Sequence, residues 1–278
     1  MVSCLSTVLL VIVFLTEGCS EPQLAASIQR VTSSITSTAP FPLAASSART
    51  QANSTQDRSL LDAVASGDKA RVEAALENGA NVNAGDRTWG YALTLAAERG
   101  DVEMVRLLVS RGAALDVATD KGYTALVKAV EAGNTEMVRI LVQGGASSNI
   151  YPPGVAPLYK AVEAGNIEIA RILVQGGAAP NIRTAGVTPL YKAVEAGNTE
   201  MVRILLQGGA APNVRTAGVT PLYKAVEAGN TEIVRLLLTY KADVRAVSLG
   251  KTALAIAQEK GNTQIVNLLG RAEATHAP

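Results

Sequence analysis

From residue 57 onward the apolar positions fall into short helical stripes that alternate with turn residues. Leu190, Ala193 and Val194 stand at i, i+3 and i+4, the spacing that gathers apolar side chains on one face of a helix. Thr188 precedes this stripe as an N-cap, and Pro189 takes the first helical position, where its missing N–H costs nothing. Gly197 closes the helix through a left-handed cap. Asn198 then caps a second helix with Glu200 in its first turn, where a negative charge suits the helix dipole. Val202, Leu205 and Leu206 supply the buried face of that helix, and Gly208 and Gly209 stop it. Ala211, Pro212 and Asn213 lead into an extended turn.

This unit recurs. Residues 154–185 and 186–217 agree at 26 of 32 positions, and a further copy opens at Gly218. A fixed period of this length marks a solenoid in which each unit touches only its neighbours. Seven units fit, with inner alanines at Ala63, Ala96, Ala129, Ala161, Ala193, Ala225 and Ala257. The first two intervals are 33 residues and the later ones 32, and the missing residue falls between Asn149 and Gly154 and at equivalent places later. Four projecting turns are therefore expected to be one residue short.

Thr-Pro-Leu at the start, Ala and Gly within, and Leu-Leu-x-x-Gly-Ala at the end resemble the ankyrin repeat over residues 57–271. The resemblance implies an all-α solenoid of stacked helix–turn–helix units with projecting turns, or fingers. It further implies a concave groove, lined by first helices and fingers, that holds a protein partner. The histidine that follows Thr-Pro-Leu in that family is replaced by Tyr159, Tyr191 and Tyr223, by Val127 and by Ala255, which puts the usual bracing of the loops in doubt. Lys241 stands where other units have a terminating glycine and is expected to strain or fray its helix end.

Repetition stacks equivalent side chains in rows. Lys128, Lys160, Lys192 and Lys224 form one row on the first helices, and Glu131, Glu163, Glu195 and Glu227 another. By the resemblance these rows face the groove, although Lys and Glu three apart are also ordinary surface partners. Tyr151, Arg183, Arg215 and Arg245 lie in the fingers, and Arg183 and Arg215 are the strongest contact candidates because a guanidinium makes planar contacts and Arg is enriched at binding hot spots. Trp89, the single tryptophan, is either a contact anchor on the second unit's finger or a cover for the first unit. Arg139, Arg171, Arg203 and Arg235 follow glutamates by three residues on the second helices and are expected on a solvated outer face.

Composition narrows the function. Lys and Arg number 25 against 24 acidic residues, which gives no reason to expect nucleic acid, and aromatics at 4% suit helices packed through small residues. The two cysteines, Cys4 and Cys19, precede the repeats, and the single histidine, His276, follows them. The array therefore holds no His-assisted nucleophile and no Cys or His ligands for zinc, and its glycine pairs lack the Lys-Ser or Lys-Thr of a phosphate loop. No catalysis, cofactor, metal or small-molecule substrate is expected, and the chain is read as a monomer.

Leu5–Leu15 is an apolar run of 11 residues, too short to span a membrane and suited to an export signal over residues 1–20. Cys19 offers an alternative as a lipidation site, and an uncleaved segment is a third. Residues 21–56, rich in Ala, Ser and Thr, read as a disordered tether carrying the glycosylation pattern Asn53-Ser54-Thr55, and 272–278 as a tail. These features give an expected secreted or periplasmic location, with membrane contact only through Cys19 or an uncleaved signal. Within that frame the chain could be a binding scaffold, an effector that binds a host protein, or an accessory subunit of an exported enzyme.

Overall fold

In a computed structural model the described residues are 43–86, 90–150 and 156–275, with side chains described over 55–85, 90–150 and 156–274. Cys19, Trp89, Tyr151, the expected export signal and His276 lie outside them. Fourteen helices among the described residues form seven consecutive pairs. The first helices of the pairs are α1 (Leu43–Ser66), α3 (Ala92–Glu98), α5 (Ala125–Glu131), α7 (Pro157–Glu163), α9 (Pro189–Glu195), α11 (Pro221–Glu227) and α13 (Ala253–Glu259). The second helices are α2 (Lys69–Glu77), α4 (Val102–Ser110), α6 (Thr135–Gln143), α8 (Ile167–Gln175), α10 (Thr199–Gln207), α12 (Thr231–Thr239) and α14 (Thr263–Thr275). From α3 onward first helices stack on first helices, and from α4 onward second helices stack on second helices, so the units form two layers.

Capping chemistry sets the pairs. The hydroxyls of Thr124, Thr188, Thr220 and Thr252 accept the N–H three residues on, from Val127, Tyr191, Tyr223 and Ala255. Asn134, Asn166, Asn198, Asn230 and Asn262 do the same for the second helices, at 3.0–3.1 Å. Ala156 breaks the series: α7 begins on Pro157 with no side-chain cap.

The core runs the length of the stack. The seven inner alanines are buried, and Val202, Leu205 and Leu206 lie inside as expected. Small residues let the layers approach closely. A Cβ at Gly208 would collide with Val174 of the preceding unit, while Gly209 supplies the left-handed turn at φ 86°. Lys241 occupies the second of these positions at φ 62°, so the expected strain is present. Fraying is not: Lys241 N–H and Ala242 N–H still reach the carbonyls of Leu238 and Leu237 at 3.0 and 2.9 Å.

The change of period has a local cause. Short hairpins form the fingers, as in β1 (Gly85–Asp86) with β2 (Gly90–Tyr91) and β3 (Val247–Ser248) with β4 (Lys251–Thr252). Asp86 pairs with Gly90, and Thr119 N–H bonds to the Tyr123 carbonyl, so three residues lie between the partners. In the 32-residue units Thr184 pairs with Val187, Thr216 with Val219 and Ser248 with Lys251, leaving two. The two residues are Ala185-Gly186, Ala217-Gly218 and Leu249-Gly250, and all six have positive φ, as in a type I′ turn.

At both ends a helix extends beyond the unit read from the sequence. Helix α1 reaches back to Leu43, into the segment read as a tether, because Ala44, Ala45, Ala48, Arg49, Gln51 and Ala52 are good helix formers. Helix α14 runs to Thr275, into the segment read as a tail.

Candidate protein-binding surface

The first-helix rows are present, and most of their charges meet within one helix. Lys160, Lys192 and Lys224 donate to Glu163, Glu195 and Glu227 at 2.9, 3.2 and 3.0 Å. Lys128 instead reaches Glu98 of the preceding unit at 3.0 Å and lies over the Tyr123 ring at 4.4 Å. The bonded glutamates hold the ammonium groups of Lys160, Lys192 and Lys224 above the usual lysine value. Beside them Tyr159, Tyr191 and Tyr223 are buried, and burial pushes the Tyr191 hydroxyl up. These rows present a neutral, alternating surface.

The second helices carry a longer network. Arg139, Arg171, Arg203 and Arg235 pair with the glutamates three residues before them, at 3.4–3.8 Å. Each of Arg106, Arg139 and Arg171 also reaches the next unit's glutamate, Glu136, Glu168 or Glu200, at 3.0 Å. Arg203 reaches Glu232 at 3.9 Å. A zigzag of alternating charge therefore links the second helices of units two to six along the outer layer, each exposed pair contributing at most about 1 kcal/mol.

Loop bracing, in doubt without the family's histidine, is provided by asparagine. Asn149 accepts the Ala179 N–H at 2.9 Å and donates to the Gly177 carbonyl at 3.1 Å. Asn181 repeats this with Ala211 and Gly209, and Asn213 with Asp243 and Lys241. Earlier units use Asn83 for the Ala114 N–H and Asp116 for the Ser147 N–H. The signal was visible as Asn or Asp recurring at the repeat period, but no helical or strand pattern draws attention to it.

The finger candidates separate. Arg183 and Arg215 are both exposed, yet Arg215 is held: its Nη1 donates to the Gly218 carbonyl at 3.1 Å and to the Val247 carbonyl of the next finger at 2.6 Å. Arg245 is exposed at the base of the last finger, where Lys241, Ala242, Asp243, Val244 and Arg245 line an open cleft of about 320 Å³. Among the described residues the large exposed apolar side chains are Ile150, Val247 and Leu249, all at the finger side of the units. No group of three or more His, Cys, Asp or Glu among the described residues could hold a metal ion, and no described helix is long and apolar enough to cross a membrane.

The chain matches the family described as ankyrin repeats (3 copies) over residues 60–152, 149–216 and 210–276. It is similar to the crystal structure of the human ASB11 ankyrin repeat domain, at 28% identity and a TM-score of 0.56, over 76% of this chain and 96% of that one. It is also similar to the ankyrin repeat domain of Bcl-3, a member of the IkappaB protein family, at 26% identity and a TM-score of 0.61, over 76% and 97%. No curated protein matches the chain. The expected secreted or periplasmic location is overturned by these likenesses, which are to the ankyrin repeat domains of human ASB11 and of an IkappaB family member. Seven capped helix pairs and family matches that together cover residues 60–276 lead to one conclusion: the chain belongs to the ankyrin-repeat family of non-catalytic scaffolds.

Proposed function

We propose that the protein is a scaffold that holds another protein against its first-helix rows and the edge formed by its fingers. The observation that carries this reading is where the unspent chemistry lies. The outer layer's charges close on one another in the Arg–Glu zigzag. The finger side instead exposes Arg183, Arg215 and Arg245 together with Ile150, Val247 and Leu249. Exposed aliphatic groups beside guanidinium groups are the composition of a contact surface, whereas a solvated face is mainly charged and paired.

Lys160, Glu163, Lys192, Glu195, Lys224 and Glu227 flank this edge in the proposed contact region and tune specificity, since a partner must match their alternating charges. The scaffold acts as a monomer. The test is affinity capture with the full chain, compared with a chain carrying Arg183→Glu and Arg215→Glu. Partners retained by the first and lost by the second support the reading. Equal retention by both, in a correctly folded variant, contradicts the finger edge as the contact surface.

A further inference from the structure

Among the described residues the last three fingers stand apart in charge, in exposed apolar area and in backbone strain. Segments 183–187, 215–219 and 245–251 hold Arg183, Arg215, Arg245 and Lys251 and no carboxylate. Glu259 neutralises Lys251 at 2.7 Å, while among the described residues none of the three arginines is ion-paired. The finger spanning residues 116–123, by contrast, carries Asp116 and Asp120 beside Lys121.

Arg215 is pre-set for a carboxylate. A guanidinium has five N–H donors, and the two on Nη1 are spent on the carbonyls of Gly218 and Val247. The Nε–Nη2 edge, which matches a carboxylate in a two-point fork, is left for a partner. Because the side chain is already tied down, little rotamer freedom is lost on binding.

Leu249 supplies the second half. It is 70% exposed at the hairpin tip, and Val247, whose carbonyl Arg215 grips, is 50% exposed. Leu249 also sits at φ 51°, where a branched side chain is strained and where Asn or Gly is the ordinary choice in this turn. Units five and six place only Ala185 and Ala217 there. An exposed, strained leucine works against folding on both counts, and such outliers cluster at binding sites.

We infer that the last three fingers bind an acidic protein segment carrying an aliphatic anchor, whose carboxylates meet Arg215 and Arg183 while the anchor lies on Leu249 and Val247. This rests on the protein-binding reading above and narrows it to one class of partner. Nucleic acid fits less well, because the cations are few and interleaved with aliphatic groups and not with stacking aromatics.

The test selects ligands for the full chain from a random-peptide display library and measures the best of them by fluorescence anisotropy. Enriched peptides should be acidic with an aliphatic residue, and raising salt should weaken them. Arg215→Gln and Leu249→Asn should each weaken binding about tenfold or more. Leu249→Asn places Asn-Gly in the turn and should raise the thermal midpoint, so its loss of binding cannot come from unfolding. Peptides with no acidic excess, or affinity unchanged by both substitutions, overturn the inference. So does a labelled single-stranded oligonucleotide that competes for the same fingers. Ligands lost on Lys192→Glu but kept by both finger variants sink this inference alone and leave the scaffold reading standing. A chain that neither enriches peptides nor captures protein sinks both.

Discussion

Asparagine 181 offers a direct way to weigh the bracing that holds the fingers in place. Asn181→Ala removes two hydrogen bonds at once, the 2.7 Å bond from Ala211 N–H and the 3.2 Å bond to the Gly209 carbonyl. Both are exposed, so water replaces part of what is lost. A net contribution of about 0.5–1.5 kcal/mol per bond, taken towards its lower half, gives a loss of about 1–2 kcal/mol. For an array of this size that lowers the thermal midpoint by roughly 2–8 °C. The assay is thermal and urea unfolding followed by circular dichroism, with hydrogen exchange to place the effect. The Ala211 amide should lose protection, while amides in α3 and α4 keep theirs, because each unit contacts only its neighbours. Asn267→Ala, an exposed change on α14, is the control and should stay within about 0.5 kcal/mol. An unchanged midpoint together with an unchanged Ala211 amide would refute the ladder as a stabilising device.

Ala156→Thr restores the missing cap of α7 at a buried position where Thr188 and Thr220 already fit in later units, and should stabilise the array by about 1 kcal/mol in urea titration. Lys241→Gly relieves a left-handed residue costing about 1–2 kcal/mol but frees the unfolded chain by about 0.4–1 kcal/mol, so a net gain of about 0.5–1 kcal/mol is expected; destabilisation would show the strain to be absent. The raised Lys160, Lys192, Lys224 and Tyr191 set the alkaline limit. A folded value above the unfolded one gives stability that is complete below the unfolded value and lost as pH rises through the folded one. Urea midpoints should therefore hold to about pH 9 and fall above about pH 10, and a midpoint that rises there would contradict the assignment.

Much of this architecture was legible in the sequence because the repeat states the same physics several times. Thr188, Pro189, Gly197 and Asn198 act locally, through caps and turns whose partners lie within a few residues, and they occupy their expected roles. In the last three fingers the shorter period falls in the projecting turn, where the sequence put it, but its cause needed the fold: a two-residue turn in place of a three-residue one. What escaped was contact between units. Glu136 was visible as the partner of Arg139 on its own helix, whereas its bond to Arg106 of the preceding unit depends on the stacking geometry. Arg215 was read as a contact candidate on its finger, whereas the bond from its guanidinium to the Val247 carbonyl of the next finger depends on the stacking geometry. Tyr191 and Tyr223 stand where the family has histidine, and their rings go into the core.

The central claim is that protein binding lies on the finger and first-helix side of the array. Calorimetric titration of a captured partner against four chains tests it most directly: the native one, Arg215→Gln, Lys192→Glu, and Arg203→Gln on the outer layer. Arg215→Gln and Lys192→Glu should each weaken the complex about tenfold, and Arg203→Gln should leave it within about twofold. A complex weakened by Arg203→Gln and untouched by the other two would place the binding face on the opposite side and contradict the account.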